Sequence, residues 1–169
     1  GGGGIGMQIA NNYEQLNQSI EKTKNLAKKA FGNSDIFLEK FISNARHIEI
    51  QVFGFGEKKA LHFYERDCSI QRRFQKIIEE SPAPQIEKSI IDEMAESAVN
   101  FVTNQKYEGA GTIEYIYDID NKKFYFLEMN TRIQVEHPVT ETVTNFDLVA
   151  MQINFALNLD SNLIDQNSI

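Results

Sequence analysis

The stretch from Glu128 to Glu136 carries a polar side chain at every second position, and this period constrains the fold more than any other feature of the chain. Alternate side chains of an extended strand point to the same face of a sheet. We therefore expect one strand whose face presents Glu128, Asn130, Arg132, Gln134 and Glu136. Burying these groups without partners is costly, so the face is either solvated or a binding site.

The overall composition is that of a folded protein. The chain has 169 residues, of which 41% are hydrophobic, so it suits one domain or part of a larger one. Its formal net charge of -7 argues against a nucleic-acid-binding surface. No apolar run reaches the roughly 20 residues that span a bilayer, so we expect a soluble protein without membrane partners. The single cysteine, Cys68, excludes an internal disulfide and suits a reducing compartment.

Periodicity predicts the elements of the first half of the chain. Apolar residues at multiples of four predict a helix over 12–31, which Gly32 ends. A strand is expected over 36–42, and alternation predicts another over 47–56. Glycines and lysines then turn the chain into a further β-rich run over 60–70.

The second half begins with a break at 81–84, where two prolines stand. A spacing of four predicts a helix over 86–102, and two β-rich runs, 109–118 and 123–132, predict a hairpin. We expect the dipeptide His137-Pro138 to end the second strand.

The last predicted helix runs from about residue 147 to 158. Its N-cap is expected at Thr144 or Asn145, and its apolar side is expected to consist of Val149, Ile153, Phe155 and Ala156. The elements together predict a mixed α+β protein. A short α/β piece precedes about residue 40, and a mainly antiparallel sheet with flanking helices follows.

The hairpin generates a metal hypothesis. If it is centred near Asn121, Glu114 lies directly across from Glu128. Like charges in this arrangement destabilise a strand pair, and a divalent cation would remove the conflict. The oxygen ligands of Glu114, Glu128 and Asn130 suit magnesium or manganese, which commonly also bind nucleotide phosphates. The alternative is a shifted register, which would leave ordinary surface charges.

The N-terminal run GGGGIGM is a candidate phosphate-binding loop. No strand precedes it as such loops normally require, so a flexible linker or a disordered start are alternatives. A magnesium site elsewhere in the chain favours the phosphate interpretation, because both features would serve the same nucleotide. The basic residues Arg72, Arg73 and Lys76 are either a solvated turn or an anion contact.

Four runs of sequence resemble the biotin carboxylase branch of the ATP-grasp superfamily, in that family's order and approximate spacing. They are ERDCSIQRR (65–73), EESPAP (79–84), GAGTIEY (109–115) and EMNTRIQVEHPVTE (128–141). The resemblance extends from Gly1 to about residue 158, and the last run is its most specific part.

The resemblance implies an incomplete ATP-grasp fold. Residues 1–41 would form part of the lid subdomain with the glycine loop and the adenine hinge. Residues 42–158 would form the catalytic subdomain, and 159–169 would begin a further C-terminal region.

The resemblance also implies a nucleotide site. The residues assigned to ATP are Gly1, Gly2, Gly3, Gly4, Gly6, Met7, Glu39, Lys40, Ile42, His47, Gln71 and Ile116. The glycines would close over the phosphates with Met7 beside the adenine. The Glu39-Lys40 hinge would read the adenine edge, and Ile42 would pack near the ring. His47 and Gln71 would lie near the sugar.

The resemblance assigns the reaction to the second half of the chain. Glu114 and Glu128 match the magnesium ligands, with Asn130 beside them. The bicarbonate pocket would consist of Lys76, Arg132, Gln134 and the backbone of Val135. Glu136 matches the base that deprotonates bicarbonate, which is a poor nucleophile until it loses its second proton. Attack on the γ-phosphate of ATP would give carboxyphosphate and ADP, and CO2 would then pass to biotin.

Cofactors and partners follow from the same resemblance. They are ATP, Mg²⁺ or Mn²⁺, bicarbonate, biotin on a carrier protein or domain, and a carboxyltransferase. A homodimer is expected at full length, in the cytoplasm or in the mitochondrial matrix of a eukaryote. The final acceptor stays open between acetyl-CoA, as in fatty acid biosynthesis, propionyl-CoA, pyruvate and urea.

The chain also departs from the family. Phe74 stands where many relatives have His or Asn, which removes a polar contact near the nucleotide. Relatives begin upstream of the glycine loop and continue beyond residue 169, so we expect the central ATP-grasp portion and weak or no biotin-dependent ATP turnover from the chain itself. The alternatives are another ATP-grasp ligase, such as carbamoyl phosphate synthetase, and a non-catalytic nucleotide-binding fragment.

Overall fold

The computed structural model describes residues 6–57, 59–159 and 164–169. Its elements are α1 (Tyr13–Phe31), β1 (Ala45–Phe55), β2 (Ala60–Arg72), β3 (Gln75–Glu80), α2 (Lys88–Asn104), β4 (Glu108–Asp118), β5 (Lys123–Asn130), α3 (His137–Thr144), α4 (Leu148–Ala156) and a 3-10 turn (Gln166–Ser168). The strands form one sheet of order β3-β2-β1-β4-β5. The chain clusters into two compact units, 1–43 with 71–75 and 44–70 with 76–169.

The first unit contains α1. The Asn12 side chain caps the helix by accepting a hydrogen bond from the Gln15 amide at 2.9 Å, and Gly32 ends it with a φ of 73°. The predicted helix is therefore confirmed.

The strand predicted over 36–42 is wrong, because these residues have no regular secondary structure. A strand needs a hydrogen-bonded neighbour, and within the described part of the chain no strand pairs with this segment. Phe37 and Leu38 consequently remain 78% and 69% exposed.

The second unit is built on β1, which pairs antiparallel with β2 on one side and with β4 on the other. Across these pairs Glu49 faces both Arg66 and Glu114. In the hairpin of β4 and β5, Glu114 faces Glu128, as the sequence predicted. The α+β class, the hairpin and its register at this pair are confirmed.

One face of the sheet packs against α2. Ile48, Ile50 and Val52 of β1 are fully buried there, and the helix contributes Met94 and Ala98, which are also fully buried. The spacing of four along α2 places its apolar residues on the side that covers the sheet, as predicted. No helix in the described ranges is long and apolar enough to span a membrane.

The other face of β1 carries polar side chains near the start of the strand and aromatic side chains towards its end. Towards its end it carries Phe53 and Phe55, which pack with Leu148 and Phe155 of α4. Nearer its start the same face carries Glu49 and Gln51, and both are fully buried. The polar half of this face holds the candidate site.

The end of the chain corrects two details of the last predicted helix. Asp147 is the N-cap of α4, and its side chain accepts from the Ala150 amide at 2.7 Å. Thr144 and Asn145 instead end α3, because Asn145 takes the left-handed conformation with a φ of 60°.

The apolar side of α4 also differs from the expected one. Val149 and Ile153 are 43% and 54% exposed, whereas Leu148 is fully buried and Phe155 packs against the sheet. The segment is apolar almost all round, so its sequence does not show which side packs.

The strand predicted over 128–136 is only partly right. β5 ends at Asn130, and the next six residues form a loop whose last turn leads into α3. Pro138 therefore lies in the first turn of a helix and does not simply end a strand. Proline is tolerated there because its missing N–H would have no helical partner.

The packing of α2 on the sheet gives a test of the fold. Met94→Ala should lower the free energy of unfolding by about 2–5 kcal/mol, because it removes a fully buried side chain and leaves a cavity. The adjacent exposed variant Glu93→Ala should change it by less than about 0.5 kcal/mol. Denaturant unfolding of both variants measures the difference, and equal losses would contradict the packing.

Candidate functional site

The centre of the site is the ammonium group of Lys76, on β3. Its Nζ donates to a carboxylate oxygen of Glu49, to Glu114 Oε1 at 2.9 Å and to Glu136 Oε1 at 2.8 Å. These carboxylates come from β1, from β4 and from the turn before α3. An ammonium group has three N–H donors, so each carboxylate can take one.

The surroundings favour the charged forms of this cluster. Burial would lower the pKa of Lys76, but Glu49 and the hydrogen bonds to the carboxylates outweigh burial and raise it. Burial would raise the pKa of Glu136, but the hydrogen bond and charge of Lys76, a backbone hydrogen bond and the charge of Arg66 together outweigh burial and lower the pKa. Burial likewise opposes the charge on Glu114, yet His47 and Lys76 lower its pKa to about 2. An ammonium and carboxylates therefore coexist here at neutral pH.

Glu114 is the most heavily bonded carboxylate of the site. Besides Lys76, its Oε1 accepts from Asn130 Nδ2 at 2.9 Å and from Gln134 Nε2 at 3.3 Å. Its Oε2 lies 3.1 Å from His47 Nε2. The carboxylate is thus held from both sides.

The predicted metal ligands lie around this carboxylate. Asn130 contacts Glu114 directly, and Glu128 faces it across the hairpin with an exposed side chain. His47, Glu49 and Glu114 each offer one potential ligand atom, and these three atoms lie within 4.8 Å of one another. Carboxylate and amide oxygens suit a magnesium or manganese ion, and such an ion would offset the concentration of acids.

A buried arginine that the sequence reasoning missed holds the floor of the site. Arg66 is fully buried on β2, and its Nε donates to Glu49 Oε1 at 2.6 Å. Its Nη1 donates to Gln51 at 2.8 Å and to Thr140 at 2.6 Å, and its Nη2 donates to Gln134 at 3.2 Å. The alternation of Glu49 and Gln51 in β1 was a usable signal, since a buried acidic face requires a cation.

Of the residues predicted to bind bicarbonate, Lys76, Gln134 and Glu136 lie in one cluster with Glu114. Gln134 is only 5% exposed. Arg132 is on the surface of the same loop, where its Nη1 donates to the Ile133 carbonyl at 3.1 Å. Val135 is 90% exposed.

The residues predicted to bind ATP divide between the units. Gly1, Gly2, Gly3 and Gly4 lie outside the described residues. The first unit contains Gly6, with a φ of 87°, and also Met7, Glu39, Lys40, Ile42 and Gln71. The second unit contains His47 and Ile116, which are partners across β1 and β4. Phe74, in the first unit, is 57% exposed.

Comparison with known proteins identifies the family. Residues 1–163 match the sequence model described as Carbamoyl-phosphate synthase L chain, ATP binding domain. The chain belongs to this family.

Curated relatives of this ATP-binding domain include carboxylases. It is 48% identical over 163 residues to Biotin carboxylase 1 of Bacillus subtilis, covering 96% of this chain and 36% of that protein. It is also 48% identical over 156 residues to the mitochondrial methylcrotonoyl-CoA carboxylase subunit alpha of Mus musculus, covering 92% and 22%. The chain thus spans about a third or less of the length of these relatives.

Solved structures agree with these relatives. The biotin carboxylase complex with β,γ-ATP from Campylobacter jejuni superposes with a TM-score of 0.93 at 43% identity, covering 100% of this chain and 37% of that one. The biotin carboxylase domain dimer of 2-oxoglutarate carboxylase from Hydrogenobacter thermophilus, in complex with MgADP, ADP and bicarbonate, gives 0.91 at 44% identity, covering 100% and 37%. The predicted resemblance to biotin carboxylases and the ATP-grasp fold are confirmed.

The lowered carboxylate pKa values predict how the stability of the metal-free protein depends on pH. A carboxylate with a lower pKa in the folded chain stabilises the fold above its unfolded pKa, and this contribution is lost as the pH falls through the folded value. For Glu114 this window runs from 4.5 down to about 2. In Glu114→Gln, the decrease in unfolding free energy across this pH window should therefore be smaller than in the wild type, by on the order of 2–3 kcal/mol.

Chemical unfolding at a series of pH values in the presence of a chelator measures this difference. The matched control is Glu57→Gln, which removes an exposed carboxylate paired with Lys106 at 2.6 Å and should leave the slope of the wild type unchanged. Parallel pH curves for Glu114→Gln and the wild type would show that Glu114 is not stabilised by its neighbours.

Proposed function

We propose that this chain provides the ATP- and bicarbonate-binding part of a biotin carboxylase, which carboxylates biotin at the expense of ATP. The observation that carries the proposal is the contact of a lysine ammonium with a carboxylate, Lys76 with Glu136 at 2.8 Å, beside the buried amide of Gln134. An ammonium, an amide and a carboxylate together match the charge, the hydrogen bonds and the proton of bicarbonate. The 48% identity to a biotin carboxylase supports the same assignment.

Glu136 is the proposed base. Its lowered pKa keeps it ionised and able to accept a proton, but the hydrogen bond from Lys76 also makes it a weak base. If bicarbonate becomes the partner of Lys76, the carboxylate loses that bond and its basicity rises. Substrate binding would thus activate the base that deprotonates it.

The deprotonated bicarbonate would attack the γ-phosphorus of ATP. A bond forms between a bicarbonate oxygen and phosphorus, the bond from phosphorus to the ADP oxygen breaks, and the proton stays on Glu136. Lys76 would stabilise the anion, and Arg132, on the same loop as Gln134, would supply a second cation. Carboxyphosphate and ADP result. Carboxyphosphate then breaks into CO2 and phosphate, and CO2 bonds to the ureido nitrogen of biotin, whose proton passes to the phosphate.

The residues proposed for the metal are Glu114, Glu128 and Asn130, with His47 and Glu49 nearby. A magnesium or manganese ion bound there would offset the charge on the transferred phosphoryl group. The protein's own part is to hold Glu114 in a fixed orientation, since Asn130 and Gln134 both donate to its Oε1.

For ATP, we propose the residues that the family resemblance implies, and we give them separately for each unit. The first would contribute the glycines, Met7, the Glu39-Lys40 hinge, Ile42 and Gln71. The second would contribute His47 and Ile116. The boundary between the units at residues 43 and 44 supports separating a lid portion, 1–41, from a catalytic portion, 42–158. That residues 159–169 begin a further region rests on the family resemblance alone. The polar contact expected in the family at position 74 is absent, because this residue is Phe.

The proposed partners are a biotinylated carrier protein or domain and a carboxyltransferase. Relatives include methylcrotonoyl-CoA carboxylase and urea amidolyase, so several final acceptors remain open. A homodimer is proposed because one similar structure is of a domain dimer. The proposed location is the cytoplasm, or the mitochondrial matrix in a eukaryote, as for the mouse relative.

Removing the proposed base tests the reaction. In the protein that carries this chain, Glu136→Gln should lower bicarbonate-dependent ADP release by about 10²–10⁴-fold, because the amide keeps the shape of the side chain but cannot accept the proton. ADP release with biotin, measured with and without bicarbonate, gives the rate. Glu93→Gln on the exposed face of α2 is the control, and full turnover by Glu136→Gln would rule out this base.

The exposed acid of the hairpin tests the metal assignment. The Glu128 side chain is exposed and faces the carboxylate of Glu114 across the hairpin, so Glu128→Gln removes a like-charge pair and should not lower the melting temperature. It should nevertheless weaken Mn²⁺ binding in the presence of ADP by about tenfold or more, because one anionic ligand is lost. Electron paramagnetic resonance of free Mn²⁺ measures the affinity. Wild-type affinity would remove Glu128 from the ligand set.

A further inference from the structure

We propose that Arg66 is a positioning residue for bicarbonate, acting through Gln134 and through Thr140 at the start of α3. This role rests on the proposed function and extends it to a residue that would not touch the substrate. It explains how a loop without strand pairing can present an ordered anion pocket.

The geometry of Arg66 joins three segments of the chain. Its guanidinium group is fully buried and donates to Glu49 and Gln51 of β1, to Gln134 of the loop after β5, and to Thr140 of α3. A guanidinium group is planar and rigid, so the four partners that accept hydrogen bonds from its N–H groups have fixed relative positions. A lysine at this position could not make the same four hydrogen bonds, because its ammonium group has fewer N–H donors than a guanidinium group and is not planar.

The contact with Gln134 determines which way its amide points. The side-chain oxygen of Gln134 accepts from Arg66 at 3.2 Å, and its Nε2 consequently points to Glu114, 3.3 Å away. The amide donor is therefore directed to the same carboxylate that Lys76 contacts. Without Arg66, the amide could rotate and present its oxygen to an anion, which would repel bicarbonate.

The contact with Thr140 acts on the proposed base. Thr140 is buried and lies four residues after Glu136, so the two residues are one helical turn apart. Glu136 is the N-cap residue of α3, and its side chain makes no capping hydrogen bond. The bond between Arg66 and Thr140 thus holds the helix start from which Glu136 reaches Lys76.

A bulge in β2 makes this placement of Arg66 possible. The register between β1 and β2 shifts between Ile50 and Val52, and Tyr64 has a φ of 58°. Phe63 packs with Phe53 in an apolar cluster of β1 and β2, whereas Arg66, three residues later, enters the polar cluster. Bulges often redirect a side chain near a functional site.

A purely structural role for Arg66 is the competing explanation, since the residue also offsets the buried charge of Glu49. The two explanations differ in kinetics. Loss of a structural residue lowers the amount of active protein and affects every substrate alike. Loss of a positioning residue raises the KM for bicarbonate and leaves the KM for ATP unchanged.

The test uses the protein that carries this chain and measures ADP release against bicarbonate and against ATP. Arg66→Lys should raise the KM for bicarbonate by about tenfold or more, and Thr140→Val by roughly 2- to 10-fold, the worth of one hydrogen bond. Both should change the KM for ATP by less than about twofold. Thr140→Val keeps the buried arginine, so it carries the test if Arg66→Lys does not fold.

The matched control is Arg46→Lys. Arg46 is a second partly buried arginine of the same sheet, and it donates to Asp67 and to the Pro84 carbonyl instead of to the cluster around Lys76. Its replacement should lower thermal stability without changing either KM. An equal rise in the KM for bicarbonate would show that loss of any buried guanidinium has this effect and would overturn the inference.

A double-mutant cycle with Gln134→Met asks whether Arg66 acts through Gln134. Once Gln134 is replaced, Arg66→Lys should raise the KM for bicarbonate by no more than Thr140→Val does in the wild type, because, of the contacts with Gln134 and Thr140, only the one with Thr140 is still present to be lost. Additive effects would overturn the inference. If the wild-type protein releases no ADP in response to bicarbonate, the proposed function fails and the inference fails with it. If it does, and neither variant changes the KM for bicarbonate, the inference alone fails.

Discussion

The second unit depends on placing one ammonium group among three carboxylates in a largely buried position. Glu49 is fully buried and Glu114 nearly so, and neither could be enclosed at reasonable cost without a cation in contact. Lys76 supplies that cation, and Arg66 supplies a second one to Glu49. The acids come from separate elements, so this electrostatic requirement also determines how β1, β3, β4 and the start of α3 come together. A change at any one partner therefore alters the charge felt by the others.

The sheet provides the rigidity that such a cluster needs. β1 is buried on both faces over most of its length, with α2 against its aliphatic face and the polar cluster on the other. On that second face, Phe53 and Phe55 follow the polar residues along the strand, and α4 packs against these two aromatic side chains. The charged groups thus project from a strand that is held above, below and at both edges. Preorganisation of this kind lets a site bind an anion without first reordering its own groups.

The sequence predicted the parts of the site that depend on local geometry. A hairpin centred near Asn121 predicts that Glu114 lies opposite Glu128, and this pair is observed. A bulge between Glu114 and Tyr115, which the sequence did not predict, shifts the register of the pairs nearer the turn by one residue. The same period of two failed beyond Asn130, because alternation describes a strand only where a partner strand exists, and a turn leads into α3 instead. The strand expected over 36–42 failed for the same reason. Arg66 was missed because the bulge at Tyr64 breaks the alternation of β2, and its four contacts join residues far apart in sequence.

The central claim is that the Lys76 cluster makes bicarbonate attack ATP. Bicarbonate labelled with ¹⁸O on all its oxygens tests it directly in the protein that carries this chain, because attack leaves one bicarbonate oxygen on phosphorus when carboxyphosphate decomposes. Mass spectrometry of the released phosphate should show one ¹⁸O atom for each ATP cleaved in the presence of biotin. Phosphate that carries oxygen from water alone would contradict the account, since water would then be the nucleophile.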